Sequence, residues 1–205
     1  MDLNQLKWGA DGLLPVVIAD ARSGAVLTLA YANREALERT IAERSTYLYS
    51  RSRSSLWHKG ETSGNTQQVV SIAYDCDADA LLYRVIPEGP ACHTGAESCF
   101  HNVIAGEDDA RSLARAIAHL DEVLEQRKAA SPDSSYVAKL YSGGVDKIGK
   151  KIGEEATEVV IAAKNASHEE LVWESADLLF HLLVLLKHAD IAFDDVGAEL
   201  LRRVK

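Results

Sequence analysis

The spacing of apolar residues changes near residue 105. Before that point, short runs rich in β-branched and aromatic residues alternate with turn residues. Pro15 to Ala19 and Ala25 to Tyr31 flank Arg22-Ser23-Gly24, a pattern that predicts a hairpin. Asn33 can cap a short helix from Arg34 to about Glu43, with Leu37 and Ile41 on one face. Tyr47-Leu48-Tyr49, Gln68 to Tyr74 and Leu81 to Ile86 predict further strands.

After residue 105 the period becomes helical. Ala105-Gly106-Glu107-Asp108-Asp109 reads as a polar linker whose acids suit a helix N-terminus. Leu113, Ile117, Leu120 and Leu124 then recur at helical spacing, until Ser131-Pro132-Asp133-Ser134 breaks the pattern. A second helix is expected over Tyr136 to Tyr141, stopping at Gly143-Gly144. A third runs from about Val145 to Lys164, with Ile148, Ile152, Val159 and Ala163 on one stripe. A fourth covers His168 to His188 and a fifth Asp194 to Arg203. Amphipathic helices with short connections predict an antiparallel bundle. The expected fold class is therefore α+β, with a β-rich metal-binding domain over 1–110 followed by an all-α helical-bundle domain over 111–205.

Composition narrows the function. The chain has 205 residues, 47% of them hydrophobic and 26% charged, enough for one large or two small domains. Its net charge of -9 argues against general nucleic-acid binding, which needs a basic footprint. Phosphate substrates remain compatible, because bound Mg²⁺ inverts the local sign. The most apolar stretch, Leu178 to Leu186, is short and interrupted by His181, so no membrane span is expected. The N-terminal residues lack the basic stretch and apolar run of a signal peptide. With an odd number of cysteines, this predicts a reducing, cytoplasmic location without disulfides.

All three cysteines fall in one window with three alternating aspartates. A lone buried cysteine is usually a small apolar residue, but Cys76, Cys92 and Cys99 are accompanied by Asp, His, Gly and Pro. A structural zinc site normally has four protein ligands; three with an open position is the catalytic pattern. His93, beside Cys92, could be a fourth ligand, a group that orients a ligand, or a general base. Asp75, Asp77 and Asp79 prefer a hard ion such as Mg²⁺. If the segment is extended, they share one face and Cys76 points the other way. The likeness to an EF-hand loop fails at Ala80 and Ile86, where glycine and glutamate are required. Upstream, the loop from Ser50 to Gly64 mixes glycine, hydroxyl and basic residues that can wrap a phosphate. Its candidate substrate-binding residues are Arg51, Arg53, Trp57, Lys59, Gly60, Glu61, Ser63 and Gly64.

Three ordered motifs then become specific. They are Trp57-x-Lys59-Gly60-Glu61-Thr62-Ser63-Gly64, Asp75-Cys76-Asp77-x-Asp79-Ala80-Leu81-Leu82, and Gly89-Pro90-Ala91-Cys92-His93-Thr94-Gly95 with Ser98-Cys99-Phe100. Over roughly residues 5 to 105 the chain resembles the phosphoribosyl-AMP cyclohydrolase family of histidine biosynthesis. The resemblance implies Zn²⁺ held by Cys76, Cys92 and Cys99, and Mg²⁺ held by Asp75, Asp77 and Asp79. It also implies a homodimer in which Cys76 reaches the partner's zinc. The reaction implied is zinc-assisted hydrolysis at C6 of an adenine ring made electrophilic by a ribose on N1, and it opens the N1–C6 bond.

In the second half, Glu154, Glu155 and Glu158 share about a quarter of a helix circumference. Glu174 and Asp177, three apart, share a face of the next helix. Most such acids form a solvated helix face, but these sit among Val159-Val160-Ile161 and Leu171-Val172-Trp173. Packed antiparallel, the two clusters could hold Mg²⁺. The pattern Glu154-Glu155-x-x-Glu158 with Glu174-x-x-Asp177, preceded by Lys150-Lys151 and Tyr141-Ser142-Gly143-Gly144, resembles the phosphoribosyl-ATP pyrophosphohydrolase family over roughly residues 112 to 200. The resemblance implies a Mg²⁺ site at Glu154, Glu158, Glu174 and Asp177. Glu155 or another acid of the cluster would be the base, and Lys150 and Lys151 would meet substrate.

Together these readings predict a bifunctional hydrolase of phosphoribosyl nucleotides, with no nucleic-acid or membrane partner. A zinc nucleobase deaminase fused to a general nucleotide pyrophosphatase is the first rival, and a metal-stabilised binding module the second.

Overall fold

A computed structural model describes residues 3–106 and 112–204 of the chain. It separates between Ala118 and His119 into two compact units. The acids of the expected linker, Glu107 to Asp109, and the expected boundary at 110/111 lie outside the described residues.

The first unit is built on a four-stranded sheet of order β2-β1-β6-β5. Strand β1 (Leu14–Asp20) pairs antiparallel with β2 (Val26–Ala32), as the hairpin pattern predicts. The turn is closed by Asp20, whose Oδ1 accepts from the backbone N–H groups of Arg22 (2.7 Å) and Ser23 (3.0 Å). On its other side β1 pairs parallel with β6 (Leu81–Pro87), and β6 pairs antiparallel with β5 (Gln67–Tyr74). Alternate positions of β1 point inward, so Leu14, Val16 and Ile18 are buried. They meet Leu37, Leu48, Val69, Tyr83 and Val85 in one core. Each such burial contributes roughly 1.5–3 kcal/mol relative to exposure.

Helix α1 (Arg34–Glu43) begins where its cap predicts, with Asn33 Oδ1 accepting from Ala36 N–H at 2.8 Å. Its buried face differs from the expected one. Ala36, Leu37 and Thr40 are buried, whereas Ile41 is 47% exposed. At about 100° per residue, Ile41 lies beyond the arc centred on Thr40. That arc is held by Thr40, whose hydroxyl donates to Ala36 O (2.7 Å) and accepts from Tyr47 N–H (3.0 Å). A separate hairpin joins β3 (Tyr47–Ser50) to β4 (Ser55–His58), so part of the expected phosphate loop is a strand.

The described part of the second unit is helical. The boundary falls within α2 (Leu113–Lys128), followed by α3 (Tyr136–Ser142), α4 (Gly144–Lys164), α5 (His168–His188) and α6 (Phe193–Arg203). Ser135 and Ser167 cap α3 and α5. Helices α4 and α5 pack extensively, and their connection of three residues makes them antiparallel. Ile148 is fully buried and Ile152 and Val159 are half-buried, but Ala162 takes the inward place expected of Ala163. Lys187 bonds Asp121, and Lys128 bonds Asp190 at 2.8 Å, fastening α2 beside the end of α5. Helix α6 buries no residue, and Val172, Trp173, Leu200 and Leu201 are exposed. The described helices thus include an antiparallel pair, α4 and α5, with α3 against α4 and α2 tied to the end of α5.

Asn33→Ala removes the α1 cap and is expected to destabilise the first unit by about 1 kcal/mol. Asn33→Asp, which keeps the acceptor, should restore most of it. Urea unfolding followed by a probe in the first unit checks both.

Candidate active sites

The first site is assembled from two loops and one strand. Trp57 lies in β4, which ends at His58, and the chain then turns through Lys59 and Gly60. Gly60 has φ +90°, and a Cβ there would lie 2.5 Å from the Asn65 carbonyl, so only glycine fits. Asn65 Nδ2 donates to Pro90 O at 3.0 Å, and a Cβ on Gly89 would lie 2.6 Å from Asn65 Oδ1. Asn65 therefore clamps the 59–65 loop onto the loop that carries Cys92. That loop is braced by Cys92 N–H donating to Ala96 O (3.1 Å) and Ala91 N–H to Glu97 O (3.2 Å). Cys99 is tied to β2 through its own N–H and Leu27 O, 2.8 Å apart.

These elements enclose a cavity of about 530 Å³ whose walls include Trp57, Lys59, Ser63, Cys92, His93 and Cys99. Gly60 and Arg53 also line it. Arg51, Glu61 and Gly64 do not; Arg51 instead stacks on Tyr31, 3.7 Å from its ring centre. Lys59 is 8% exposed, and its ammonium has no ion-pair partner among the described residues. A buried cation without a counter-charge is costly, so this wall suits an anion. Thr94 Oγ1 donates to Cys92 Sγ at 3.1 Å, and His93 Nδ1 lies 3.9 Å from the same sulfur. The Thr94 hydroxyl and N–H, then Cys99 and His101, hold the Cys92 thiol below the usual thiol range. That favours the thiolate, the form that binds metal.

Asp75, Asp77 and Asp79 are brought together, with one oxygen of each within 4.8 Å of the others. The extended geometry expected for them is not how this happens. Strand β5 ends at Tyr74, β6 begins at Leu81, and residues 75–80 form a turn with Ala78 at φ +66°. Face alternation therefore does not reach Cys76, which is exposed on that turn and does not line the cavity of Cys92 and Cys99. Partial desolvation works against the Asp75 charge, but N–H groups of Ala80 and Asp79 outweigh it and hold this carboxyl low. The Asp77 charge pushes Asp79 up. The raised Asp79 marks crowding that a cation would relieve.

The second site lies between α4 and α5. One oxygen each of Glu155, Glu158 and Glu174 lies within 4.8 Å of the others. Glu154 is not in this group; Lys151 holds it at 3.2 Å. Asp177 lines a cavity of about 420 Å³ with Tyr136, Lys151, Glu155, Phe180 and His181, but is outside the converging trio. Lys150 is exposed and outside that cavity. Glu155 is 3% exposed, and Lys151 Nζ, 2.7 Å away, holds its carboxyl below the usual range. Desolvation, then a side-chain hydrogen bond with Glu155 and the charge of Glu174, push Glu158 up. Tyr136, Phe180 and His181 also line this cavity and belong to none of the sequence motifs. The one local sign was a histidine interrupting an apolar run.

Thiols and a cation without an ion-pair partner in one unit, and clustered carboxylates in the other, are two chemically distinct clusters. The family model for phosphoribosyl-AMP cyclohydrolase matches residues 28–101, and that for phosphoribosyl-ATP pyrophosphohydrolase matches residues 117–204. The histidine biosynthesis bifunctional protein HisIE of Bacillus subtilis is 54% identical over 193 residues, covering 94% of this chain and 92% of its own length. Its counterpart in Thermus thermophilus is 51% identical over 204 residues, 99% of this chain and 94% of its own length. That in Deinococcus radiodurans is 52% identical over 201 residues, 97% and 92% respectively. The chain belongs to this family of bifunctional histidine-biosynthesis proteins. It is an enzyme with both activities, converting phosphoribosyl-ATP to phosphoribosyl-AMP and pyrophosphate, then opening the adenine ring of phosphoribosyl-AMP. Among the described residues no helix is long and apolar enough to cross a membrane.

Asn65→Ala should loosen the clamp between the two loops and slow ring opening by about tenfold to hundredfold. Pyrophosphate release should stay within about twofold, since the second centre is separate. Assaying the two half-reactions separately checks this.

Proposed function

We propose that Cys92, Cys99 and a Cys76 from a second copy hold Zn²⁺ for ring opening, and that Asp75, Asp77 and Asp79 hold Mg²⁺ beside that reaction. The observation that carries this reading is one cavity shared by Cys92, His93, Cys99 and the unpaired Lys59. The donor sets fit: thiolates suit zinc, and crowded carboxylates suit a hard cation. Because Cys76 lies outside the cavity of its own chain, a third thiolate needs a partner, which supports a homodimer. Zinc so bound supplies Lewis acidity toward water and the C6 position. His93 accepts the proton of the water added at C6. Lys59 and Arg53 meet substrate phosphate, with Ser63 and the Gly60 backbone, while Trp57 offers an aromatic face to the base. Arg51, Glu61 and Gly64 shape that loop from outside the cavity.

In the helical domain, Glu154, Glu158, Glu174 and Asp177 would hold Mg²⁺, which would neutralise the polyphosphate, Glu155 orients and deprotonates water, and Lys150 and Lys151 meet the polyphosphate. The raised Glu158 supports a cation here. The cyclohydrolase domain ends at residue 110 and the pyrophosphohydrolase domain begins at 111. Working thiolates suit a reducing cytoplasm.

Cys92→Ala is expected to abolish ring opening and lower bound zinc while pyrophosphate release persists. Glu155→Gln should do the reverse, with zinc content unchanged. Mixing Cys76→Ala with Cys92→Ala protein under subunit exchange should regenerate some ring opening. Full ring-opening activity in zinc-depleted Cys92→Ala protein overturns the zinc assignment; no recovery despite demonstrated exchange overturns the shared site. An unchanged pyrophosphate-release rate in Glu155→Gln overturns the role of Glu155.

A further inference from the structure

His181 is 4% exposed on α5, and its two ring nitrogens have different partners. Nδ1 lies 2.8 Å from the backbone oxygen of Asp177. A carbonyl only accepts, so Nδ1 carries a hydrogen. Nε2 lies 2.9 Å from the Tyr136 hydroxyl, and in the neutral ring it accepts that O–H. The same Nδ1 is 3.7 Å from Glu155 Oε1 on α4, too long for a hydrogen bond but an electrostatic contact in a dry setting. Edge contacts from Tyr136 (82° between planes) and Phe180 (80°) restrict the ring. One imidazole thus links α3, α4 and α5.

Glu155 needs such a link. It is a buried carboxylate beside Glu158 and Glu174. Lys151 compensates its charge, but that side chain is 30% exposed, rises from the same helix and is shared with Glu154. A flexible ammonium follows a carboxylate; it does not fix one. His181 offers a fixed dipole: its Nδ1–H donates to Asp177 O, and the electropositive Nδ1 edge of the ring lies 3.7 Å from Glu155 Oε1.

We infer that His181, oriented by Tyr136, is a positioning residue for Glu155. The electropositive Nδ1 edge of its ring favours Oε1 staying on the Lys151 side of the cavity, which leaves the other oxygen for water or a cation at Glu158 and Glu174. This rests on Glu155 acting in pyrophosphate release, which Glu155→Gln tests by itself.

His181→Leu is expected to lower kcat for pyrophosphate release by about tenfold to hundredfold, with KM within about twofold. Tyr136→Phe, which keeps the ring contacts, should lower kcat a few-fold. His181→Asn places an amide N–H near the position of Nδ1 and should recover most of the loss. In metal-free protein labelled with ¹⁵N-histidine, NMR should show His181 protonated at Nδ1, with its Nε2 resonance shifted by Tyr136→Phe. An Nε2–H tautomer, or wild-type kcat in His181→Leu, overturns the proposal. So does His181→Asn as impaired as His181→Leu when both are folded by circular dichroism. If His181→Leu does not fold, Tyr136→Phe and His181→Asn decide by the same criteria. Lost activity in Glu155→Gln with wild-type kcat in His181→Leu overturns this proposal and leaves the reading of Glu155 standing.

Discussion

Glu155 is a carboxylate buried to 3% exposure with Glu158 and Glu174 beside it. That arrangement is unfavourable unless opposite charge is fixed close by. The packing of α4 on α5 creates the crowding, and the groups around it respond. Lys151 supplies a full charge from one turn away on α4, and His181 supplies a dipole across the interface. Glu155 stays ionised while Glu158 is pushed toward protonation. An acid held low beside one held high divides the labour a hydrolytic site needs.

The first unit meets the opposite condition. Lys59 is a largely buried cation that forms no ion pair among the described residues, its ammonium lying 5.9 Å from the Trp57 ring centre. The cavity that contains it is also walled by cysteines and His93. A substrate bearing phosphates can supply the missing negative charge. The loop geometry that makes this wall depends on Gly60, where any side chain would strike Asn65, and on Asn65, which reaches across to Pro90. Two loops far from each other in sequence are thereby held as one surface on a sheet whose core is ordinary.

The two activities are consecutive, since phosphoribosyl-AMP released by one is the substrate of the other. The unit that acts second comes first in the chain. Their clustered side chains lie in different units, Cys92 and Cys99 in one and Glu155, Glu158 and Glu174 in the other, so each half-reaction can be disabled without touching the other's residues.

Local order was legible in the sequence, because it depends on residues a few positions apart. The Asp20 turn, the Asn33 cap and the bounds of α5 all follow from short-range hydrogen bonds and the 2.0 and 3.6 periods. The cysteine and aspartate cluster was equally visible, as was the acidic character of α4 and α5. Tertiary packing decided the rest. Glu154 and Glu155 are both within helical reach of Glu158, and only the rotation of α4 against α5 turns Glu155 inward. Ile41 shares a periodicity with Leu37, but the fixed position of Thr40 leaves it in solvent. Asn65 and Pro90, 25 residues apart, and Tyr136 and His181, 45 apart, have no local signature of their contact. Cys76 sits among the clustered aspartates, yet a turn in place of an extended segment carries it away from the cavity of Cys92 and Cys99. Which residue types the chemistry needs is written locally; which of them face one another depends on long-range packing that no short window of sequence encodes.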